Sequence, residues 1–250
     1  MKTAIVTGAS RGIGRAIAAR LAADGMQVVL CARDQSLLEA AAREFGNACV
    51  VARDLRLPES AAKVVATALE TFGSIDVLVN NAGATKRGEF EALSDEDWAD
   101  GFALKFLGAV RLTRAAWPHL RASRGSVINV AGSGGRTPGP QFTIGGSVNA
   151  ALLSFTKAMA DVGQRDGVQV NAINPGPVRT ARLERRLEQL AQEKQIGSGP
   201  ALELFLKEEK IVQTGEPEDI AALVSFILSK HGRYMHGSLI DMDGGATKTL

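Results

Sequence analysis

The 250-residue sequence is poor in the residue types that mark metal centres, disulfide frameworks and membrane spans. Its two cysteines form no CxxC pair, and its three histidines show no metal-ligand spacing. Cys31 and Cys49 each lie in an apolar, strand-like stretch, so we expect buried, reduced thiols. No apolar run approaches the ~20 residues that a membrane-spanning helix requires. These absences argue against a metalloprotein, a disulfide scaffold and an integral membrane protein.

An excess of charge of one sign is missing as well. The chain has 29 Lys and Arg residues against 27 Asp and Glu residues, a net charge of +2. Such a small net charge does not indicate binding to nucleic acid or to an anionic membrane surface. The first seven residues are followed by glycine too soon to form a signal peptide. We therefore expect a cytoplasmic protein with no nucleic-acid or membrane partner.

The sequence instead shows an alternation of strand-like and helix-like segments. The predicted strands are 3–7, 27–32, 48–53, 76–80, 126–130, 169–173 and 238–242. The predicted helices include 15–23, 37–45, 58–72, 95–120 and 148–164, with Pro58 and Pro217 in first turns. Alternating strands and helices form a parallel sheet covered by helices on both faces. We predict an α/β fold, a single doubly wound, Rossmann-like domain over residues 1–250 with about seven parallel strands.

The stretch 177–213, rich in Arg, Glu, Leu and Lys, lies between the sixth predicted strand and the helix near Pro217. Ligands of open α/β sheets bind outside the carboxyl ends of the strands, where this insertion would lie. We predict that 177–213 is a substrate lid. A solvated helical hairpin that packs on the domain is the alternative.

Three glycines follow the first predicted strand. Gly8, Gly12 and Gly14 have the spacing Gly-x-x-x-Gly-x-Gly and precede an alanine-rich helix. Glycines at this point permit a tight turn and let the backbone approach a pyrophosphate, which rests on the N-terminus of the helix. A glycine trio alone is weak evidence, but its place between a strand and a helix is the required context.

Four more motifs follow the glycine turn along the chain. The five together are Thr7-Gly8-Ala9-Ser10-Arg11-Gly12-Ile13-Gly14, Asp54-Leu55, Asn80-Asn81-Ala82-Gly83, Asn174-Pro175-Gly176 with Thr180, and Asp243-Gly244-Gly245. With these motifs the chain resembles the short-chain dehydrogenase/reductase family over nearly its whole length. The resemblance implies hydride transfer between a nicotinamide cofactor and a carbonyl or alcohol of a small-molecule substrate.

The resemblance also assigns positions in the cofactor site. It places Asp54 at the adenine, 81–83 on the adenosine side, and Val178 and Thr180 at the nicotinamide carboxamide and pyrophosphate. It implies a homotetramer formed through 95–120, 148–164 and the last strand. The predicted cofactor-binding residues are Gly8, Ser10, Arg11, Gly12, Ile13, Gly14, Arg33, Asp54, Leu55, Asn81, Ala82, Gly83, Pro175, Gly176, Val178 and Thr180.

Charges near the second strand favour NADP over NAD. An NAD enzyme places an acid at the end of this strand to bind the ribose 2′-hydroxyl, whereas a 2′-phosphate requires cations. This chain has Ala32 at the position of the acid, followed by Arg33, and Arg11 in the glycine turn. Asp34 is the counter-evidence, but it lies past the strand and is placed to cap the next helix.

The residues that carry out the chemistry in the family are not found at their usual positions. Aligned to the family, the serine position is Gly132, the tyrosine position Gly145 and the lysine position Asn149. Lys157 lies two helical turns, ~12 Å, beyond Asn149 and cannot replace it. The only tyrosine, Tyr234, precedes the last strand, against which we expect it to pack. The chain is therefore predicted to be a divergent member without the catalytic Tyr/Lys pair.

A second departure offsets the first. The alignment puts Lys105 where the family has an asparagine, so lysine and asparagine are exchanged between positions 105 and 149. We hypothesise that Lys105 and Asn149 face each other beside the nicotinamide ribose, with Lys105, Ser133 or a water delivering the proton. A desolvated lysine titrates below its free value of ~10.4, which predicts pH dependence in the alkaline range. The alternative is drift at a dead site, with Lys105 pointing to solvent.

The leading interpretation is an NADP(H)-dependent oxidoreductase with a non-standard catalytic site formed by Lys105, Ser133 and Asn149. A non-catalytic NADP-binding protein that acts as a sensor or assembly partner is the main alternative. A lyase or isomerase that uses Lys105 as an acid beside a structural cofactor is a third. The run Gly132-Ser-Gly-Gly-Arg136 leaves two interpretations open, an anion-binding loop assisted by Arg136 or glycines that simply form turns.

Overall fold

A computed structural model describes residues 1–248 and contains one sheet of seven parallel strands. The strands are β1 Thr3–Thr7, β2 Gln27–Ala32, β3 Ala48–Ala52, β4 Val77–Asn80, β5 Ser126–Val130, β6 Gln169–Pro175 and β7 Leu239–Met242. Their order is β3-β2-β1-β4-β5-β6-β7, with every neighbouring pair parallel. The predicted Rossmann-like α/β fold is confirmed, and each predicted strand is present to within two residues at either end.

Helices cover both faces of this sheet. The α-helices are α1 Gly12–Ala23, α2 Gln35–Phe45, α3 Ser60–Phe72, α4 Asp95–Gly101, α5 Gly108–Ser123, α6 Thr143–Asp166, α7 Ala181–Lys194, α8 Ser198–Glu209 and α9 Pro217–Leu228. Several begin where their sequence dictates. Asp34 caps α2 by accepting the N–H of Leu37 at 3.1 Å, as predicted, and Pro217 opens the first turn of α9.

Four expectations are corrected by the structure. The predicted helix 95–120 is divided by a π-helical turn, Phe102–Leu107, between α4 and α5. The predicted helix 148–164 begins earlier, at Thr143. Pro58 lies in the turn before α3 and not in its first turn. Tyr234 is 99% exposed and does not pack against the last strand, because a polar phenol at the end of a short turn loses little by facing water.

The core consists of two apolar layers, one on each face of the sheet. On one face, Ile17 and Leu21 of α1 pack with Val224 of α9. On the other, Val64 of α3 and Leu112 of α5 pack against the central strands. These strands are buried on both sides, which explains their nearly continuous apolar sequence. Within the described residues, no helix is long and apolar enough to cross a membrane.

The insertion at 177–213 forms the pair α7 and α8 outside the carboxyl edge of the sheet. The two helices pack on each other around Leu183 and Phe205, with Ile211 completing a small cluster separate from the main core. An element with its own small core can move relative to the sheet more readily than one that shares the main core.

The carboxyl ends of β1 and β4 meet at the point where the strand order reverses, which is where open α/β sheets bind ligands. The Thr7 hydroxyl accepts the backbone N–H groups of Asn81 and Ala82, each at 2.9 Å, and donates to the carbonyl of Val79 at 3.2 Å. The Asn81 amide in turn donates to the Thr7 carbonyl at 2.9 Å. These bonds hold the glycine turn against the segment that follows β4.

We expect Thr7→Val to lower the free energy of unfolding by about 1–3 kcal/mol, because two half-buried N–H groups lose their acceptor. Thr7→Ser is the matched control, since it keeps the hydroxyl and should cost less than about 1 kcal/mol. Urea unfolding of both variants measures the difference. An equal loss of unfolding free energy in the two variants would show that the Thr7 hydroxyl does not hold these N–H groups.

Candidate active site

The glycine turn forms a cradle that side chains would fill. Gly8 and Gly12 have φ of 67° and 56°, in the left-handed region that favours glycine. A Cβ on Gly14 would collide with the Gly8 carbonyl oxygen and with the Asn81 amide nitrogen. A Cβ on Gly12 would lie 3.2 Å from a methyl carbon of Thr180. The sequence-predicted residues of the turn are therefore brought together with Asn81 and Thr180.

The cradle suits a phosphate group. Helix α1 begins at Gly12, inside the turn, and the side chain of Arg11 forms no cap on it. The first N–H groups of a helix lack intrahelical partners and carry partial positive charge, which favours a bound anion. The residues present thus fit a dinucleotide pyrophosphate.

The end of β2 carries the groups that distinguish a 2′-phosphate from a hydroxyl. The Arg33 guanidinium lies 3.9 Å from Asp54, and its side chain is 67% exposed. Hydrogen bonds from Ser36 and from the Leu37 N–H hold the pKa of Asp34 below its usual range. Both of these bonds go to Oδ1 of Asp34, which fixes the carboxylate at the N-terminus of α2.

The other predicted cofactor residues lie at the same edge of the sheet. Asp54 accepts the backbone N–H of Arg56 at 3.0 Å, and Leu55 is buried beside it. Pro175 ends β6, and Val178 forms an isolated bridge with Gly215. Ser10, Ile13, Ala82, Gly83 and Gly176 are all half-buried.

Lys105 lies in the π-helical turn, and its side chain enters the space between Gly83, after β4, and Ala131, after β5, which we call the cleft. Its stem packs on Gly83, where a Cβ would come within 2.8 Å of the lysine Cδ. Its Nζ donates to the Ala131 carbonyl at 2.5 Å. Burial, with a contribution from the positive charge of Arg182, lowers the pKa of Lys105 to about 7. The direction of this shift is the one predicted from the sequence, and its size moves the expected pH dependence from the alkaline range towards neutrality.

Asn149 lies against Gly132, the residue that follows Ala131, to which Lys105 donates. It is only 3% exposed, and a Cβ on Gly132 would lie 3.0 Å from its amide nitrogen. Its buried Oδ1 has no hydrogen-bond partner in the described part of the chain. Lys105 and Asn149 therefore approach adjacent positions, Ala131 and Gly132, although no hydrogen bond between their side chains is present among residues 1–248.

The serine predicted to take part in catalysis lies in the loop after β5. Ser133 begins the short 3-10 turn Ser133–Gly135 and is half-buried. Its carbonyl accepts the N–H groups of Arg136 and Thr137. Arg136 pairs with Asp241 at 2.6 Å, so it is directed to the last strand.

A phenylalanine fills the space beside Gly145. A Cβ on Gly145 would overlap the ring of Phe142, from the turn just before α6. The Arg87 guanidinium lies over the same ring, 4.2 Å from its centre. The position that the family resemblance gives to a tyrosine is therefore occupied by a phenyl ring with a cation stacked on it.

Arg182 is a site residue that the sequence did not reveal. It is the second residue of α7, and its guanidinium donates to the Gly83 carbonyl at 2.8 Å. Arg87 and Phe142 were missed for the same reason. Each belongs to no motif, and its contact with the site depends on how the loops fold and not on local spacing. The charge-rich composition of 177–213 was the one available signal.

These features define an α/β protein with a nucleotide-phosphate cradle and a titratable amine at the carboxyl edge of its sheet, the arrangement of a dinucleotide-dependent oxidoreductase. The sequence profile of short chain dehydrogenases matches residues 2–191, and the chain belongs to that family.

Individual relatives cover nearly the whole chain. The short-chain reductase protein NovJ of Streptomyces niveus is 34% identical over 247 residues, 97% of this chain and 92% of that protein. L-sorbose reductase of Gluconobacter frateurii, solved with NADPH and L-sorbose, is 34% identical with a TM-score of 0.95, covering 100% of this chain and 97% of that one.

A third relative is a short chain oxidoreductase of Pseudomonas aeruginosa PAO1 described as containing an atypical catalytic center. It is 27% identical, has a TM-score of 0.91, and covers 100% of this chain and 98% of that one. Similar solved structures include complexes with NADPH and a complex with NADH.

The packing of Phe142 on Gly145 can be tested with a double-mutant cycle. Gly145→Ala should destabilise the protein by about 1–3 kcal/mol, because the new methyl group displaces the ring. In a Phe142→Ala background the same change should stabilise by up to about 1 kcal/mol, since alanine favours a helix over glycine. Thermal or urea unfolding gives both values; the same cost in both backgrounds would show that the ring is not the obstacle.

Proposed function

We propose that this protein is an NADP(H)-dependent oxidoreductase that acts on a carbonyl or alcohol through a non-standard site. The observation that carries the proposal is Lys105, an amine with a pKa of about 7 that lies in the cleft beside the end of β5. A catalytic acid or base works best when its pKa is close to the working pH.

The chain offers a distinct group for each part of the cofactor. The first turn of α1 would hold the pyrophosphate, Arg33 and Arg11 the 2′-phosphate, and Asn149 a hydroxyl of the nicotinamide ribose. The unpartnered Oδ1 of Asn149 is the observation that supports the last assignment. When bound, NADPH supplies a hydride to the substrate carbonyl carbon.

Lys105 supplies the proton in this proposal. In reduction, the ammonium hydrogen-bonds the carbonyl oxygen, stabilises the negative charge that develops there and donates its proton. In oxidation, the neutral amine accepts the proton of the alcohol. The Ala131 carbonyl holds the amine in place through its hydrogen bond. Two similar proteins support this proposal: L-sorbose reductase, solved with NADPH, and the oxidoreductase described as having an atypical catalytic center.

NADPH should bind at least about tenfold more tightly than NADH, because charge-assisted hydrogen bonds to the 2′-phosphate have no counterpart in NADH. Arg33→Ala should weaken NADPH binding about tenfold and NADH binding much less. Arg43→Ala, on the far end of α2, is the matched control. Titration calorimetry measures all of these affinities. Equal affinity for NADPH and NADH would contradict the predicted preference for NADPH.

Lys105→Met should reduce kcat/KM for hydride transfer by about 10²–10⁴-fold, the usual contribution of an acid or base. In the wild type, reduction should slow as the pH rises through the pKa of Lys105, because the proton-donating form is lost. Oxidation should accelerate over the same range. Both pH limbs should vanish in Lys105→Met. The measurement is a pH–rate profile in each direction over a broad carbonyl and alcohol panel.

Lys157→Met, at an exposed position of α6, serves as the control for loss of a lysine. Lys105→Met should also fold normally and be at least as stable near neutral pH. A lysine with a lowered pKa destabilises the folded state as the pH falls from its unfolded value towards its folded value, and methionine removes that effect. Unchanged turnover in Lys105→Met would show that Lys105 is a bystander.

The second candidate is a non-catalytic NADP-binding protein, a sensor or assembly partner. The observation in its favour is that Phe142 fills the space beside Gly145, leaving no hydroxyl there. NADPH binding without turnover of any panel substrate would select it. Closure of 177–213 as a lid, assembly as a homotetramer and a cytoplasmic location remain predictions from the sequence.

A further inference from the structure

The cleft beside Lys105 holds more positive charge than its surroundings neutralise. Arg182 donates to the carbonyl of Gly83, and the stem of Lys105 packs on the same glycine. Arg87 stacks on Phe142 on the other side. These cations come from three separate elements: the π-helical turn, the start of α7 and the loop after β4.

None of the three forms an ion pair within residues 1–248, although ten such pairs occur elsewhere there. Glu209, whose charge acts on Arg87, already pairs with Arg186 at 2.6 Å. Burial and neighbouring positive charges lower the pKa of both Arg87 and Lys105. Arg87 and Arg182 are exposed, so an anion from solvent can reach both guanidinium groups, and the half-buried Lys105 lies nearby. Positive charges grouped in this way without carboxylate partners raise the local concentration of anions.

The cofactor phosphates do not account for the whole group. The cradle for the pyrophosphate is formed by Gly12 and the first turn of α1, with Thr180 beside it. Arg87 instead lies over the ring that packs on Gly145. By the family alignment that is the side on which the reacting carbonyl is placed. An anion bound by Arg87 and Arg182 therefore belongs to the substrate.

We propose that the substrate carries a carboxylate or phosphate group in addition to its carbonyl or alcohol, and that Arg182 and Arg87 bind this anion. The contact with the Phe142 ring, 4.2 Å from its centre, holds the guanidinium of Arg87 beside this space, and a guanidinium suits a group with several acceptor oxygens. Arg182, in the first turn of α7, would give up its hydrogen bond to the Gly83 carbonyl and donate to the anion of the substrate. The proposal rests on the proposed oxidoreductase function, but its binding test requires no turnover.

The first experiment titrates inorganic phosphate and malonate into protein saturated with NADP⁺, so that the cofactor site is filled. Wild-type protein should bind at least one of the two, and Arg182→Met and Arg87→Met should each weaken that binding about tenfold or more. Lys194→Met, at the other end of α7, should bind like the wild type. Tighter phosphate binding indicates a phosphorylated substrate, and tighter malonate binding a carboxylated one.

The second experiment compares turnover of matched carbonyl compounds: oxo acids against their methyl esters, and phosphorylated against unphosphorylated ketoses. The anionic member of a pair should have a kcat/KM at least about tenfold higher in the wild type. Arg182→Met and Arg87→Met should reduce that ratio towards one, whereas Lys194→Met should preserve it.

Two results would overturn the proposal. One is that neither anion binds the NADP⁺-saturated protein, or that all variants bind equally. The other is that Arg182→Met and Arg87→Met weaken NADP⁺ binding as much as they weaken anion binding, which would assign both cations to the cofactor. Anion binding without turnover of any panel compound would contradict the proposed oxidoreductase function and leave the anion site standing.

Discussion

The hydroxyl of Thr7 accepts two backbone N–H groups of the segment that follows β4, and this fixes how far that segment lies from the glycine turn. Gly14 then allows the turn to approach Asn81 more closely than any side chain would permit. The same segment ends in Gly83, on which Lys105 packs and to which Arg182 donates. The cofactor cradle and the cationic cleft therefore share one rigid support, and a shift in β4 would disturb both.

The π-helical turn between α4 and α5 is the second element on which the site depends. It widens the helix at Phe102–Leu107, the segment that carries Lys105. Such turns are uncommon and recur at functional sites, because they change the direction of a side chain without ending the helix. Here the helix continues into the core through α5 while the lysine reaches the end of β5.

Local patterns in the sequence were enough to predict the sheet, the cofactor edge and the cap on α2. Short continuous apolar runs, glycines between them and an aspartate before a helix are local patterns of a few residues, so they can be read without a structure. The π turn was missed because its apolar spacing is nearly that of an α-helix. Arg87 and Arg182 were missed because their positions depend on loops that meet only in the folded chain. The low pKa of Lys105 depends on the cleft and on Arg182, so the sequence could predict only its direction.

The nearly neutral pKa of Lys105 means that ligand binding and proton uptake are coupled in this cleft. Burial and the charge of Arg182 lower the pKa of Lys105 to about 7, so the amine changes its protonation state near neutral pH. An anion that binds beside the ammonium stabilises the charged form and draws a proton from solvent onto the amine. By linkage, the same anion binds more weakly as the solution becomes alkaline. In the proposed reductase, the proton for the reaction would therefore be taken up when the anionic substrate binds, and would not be held permanently beforehand.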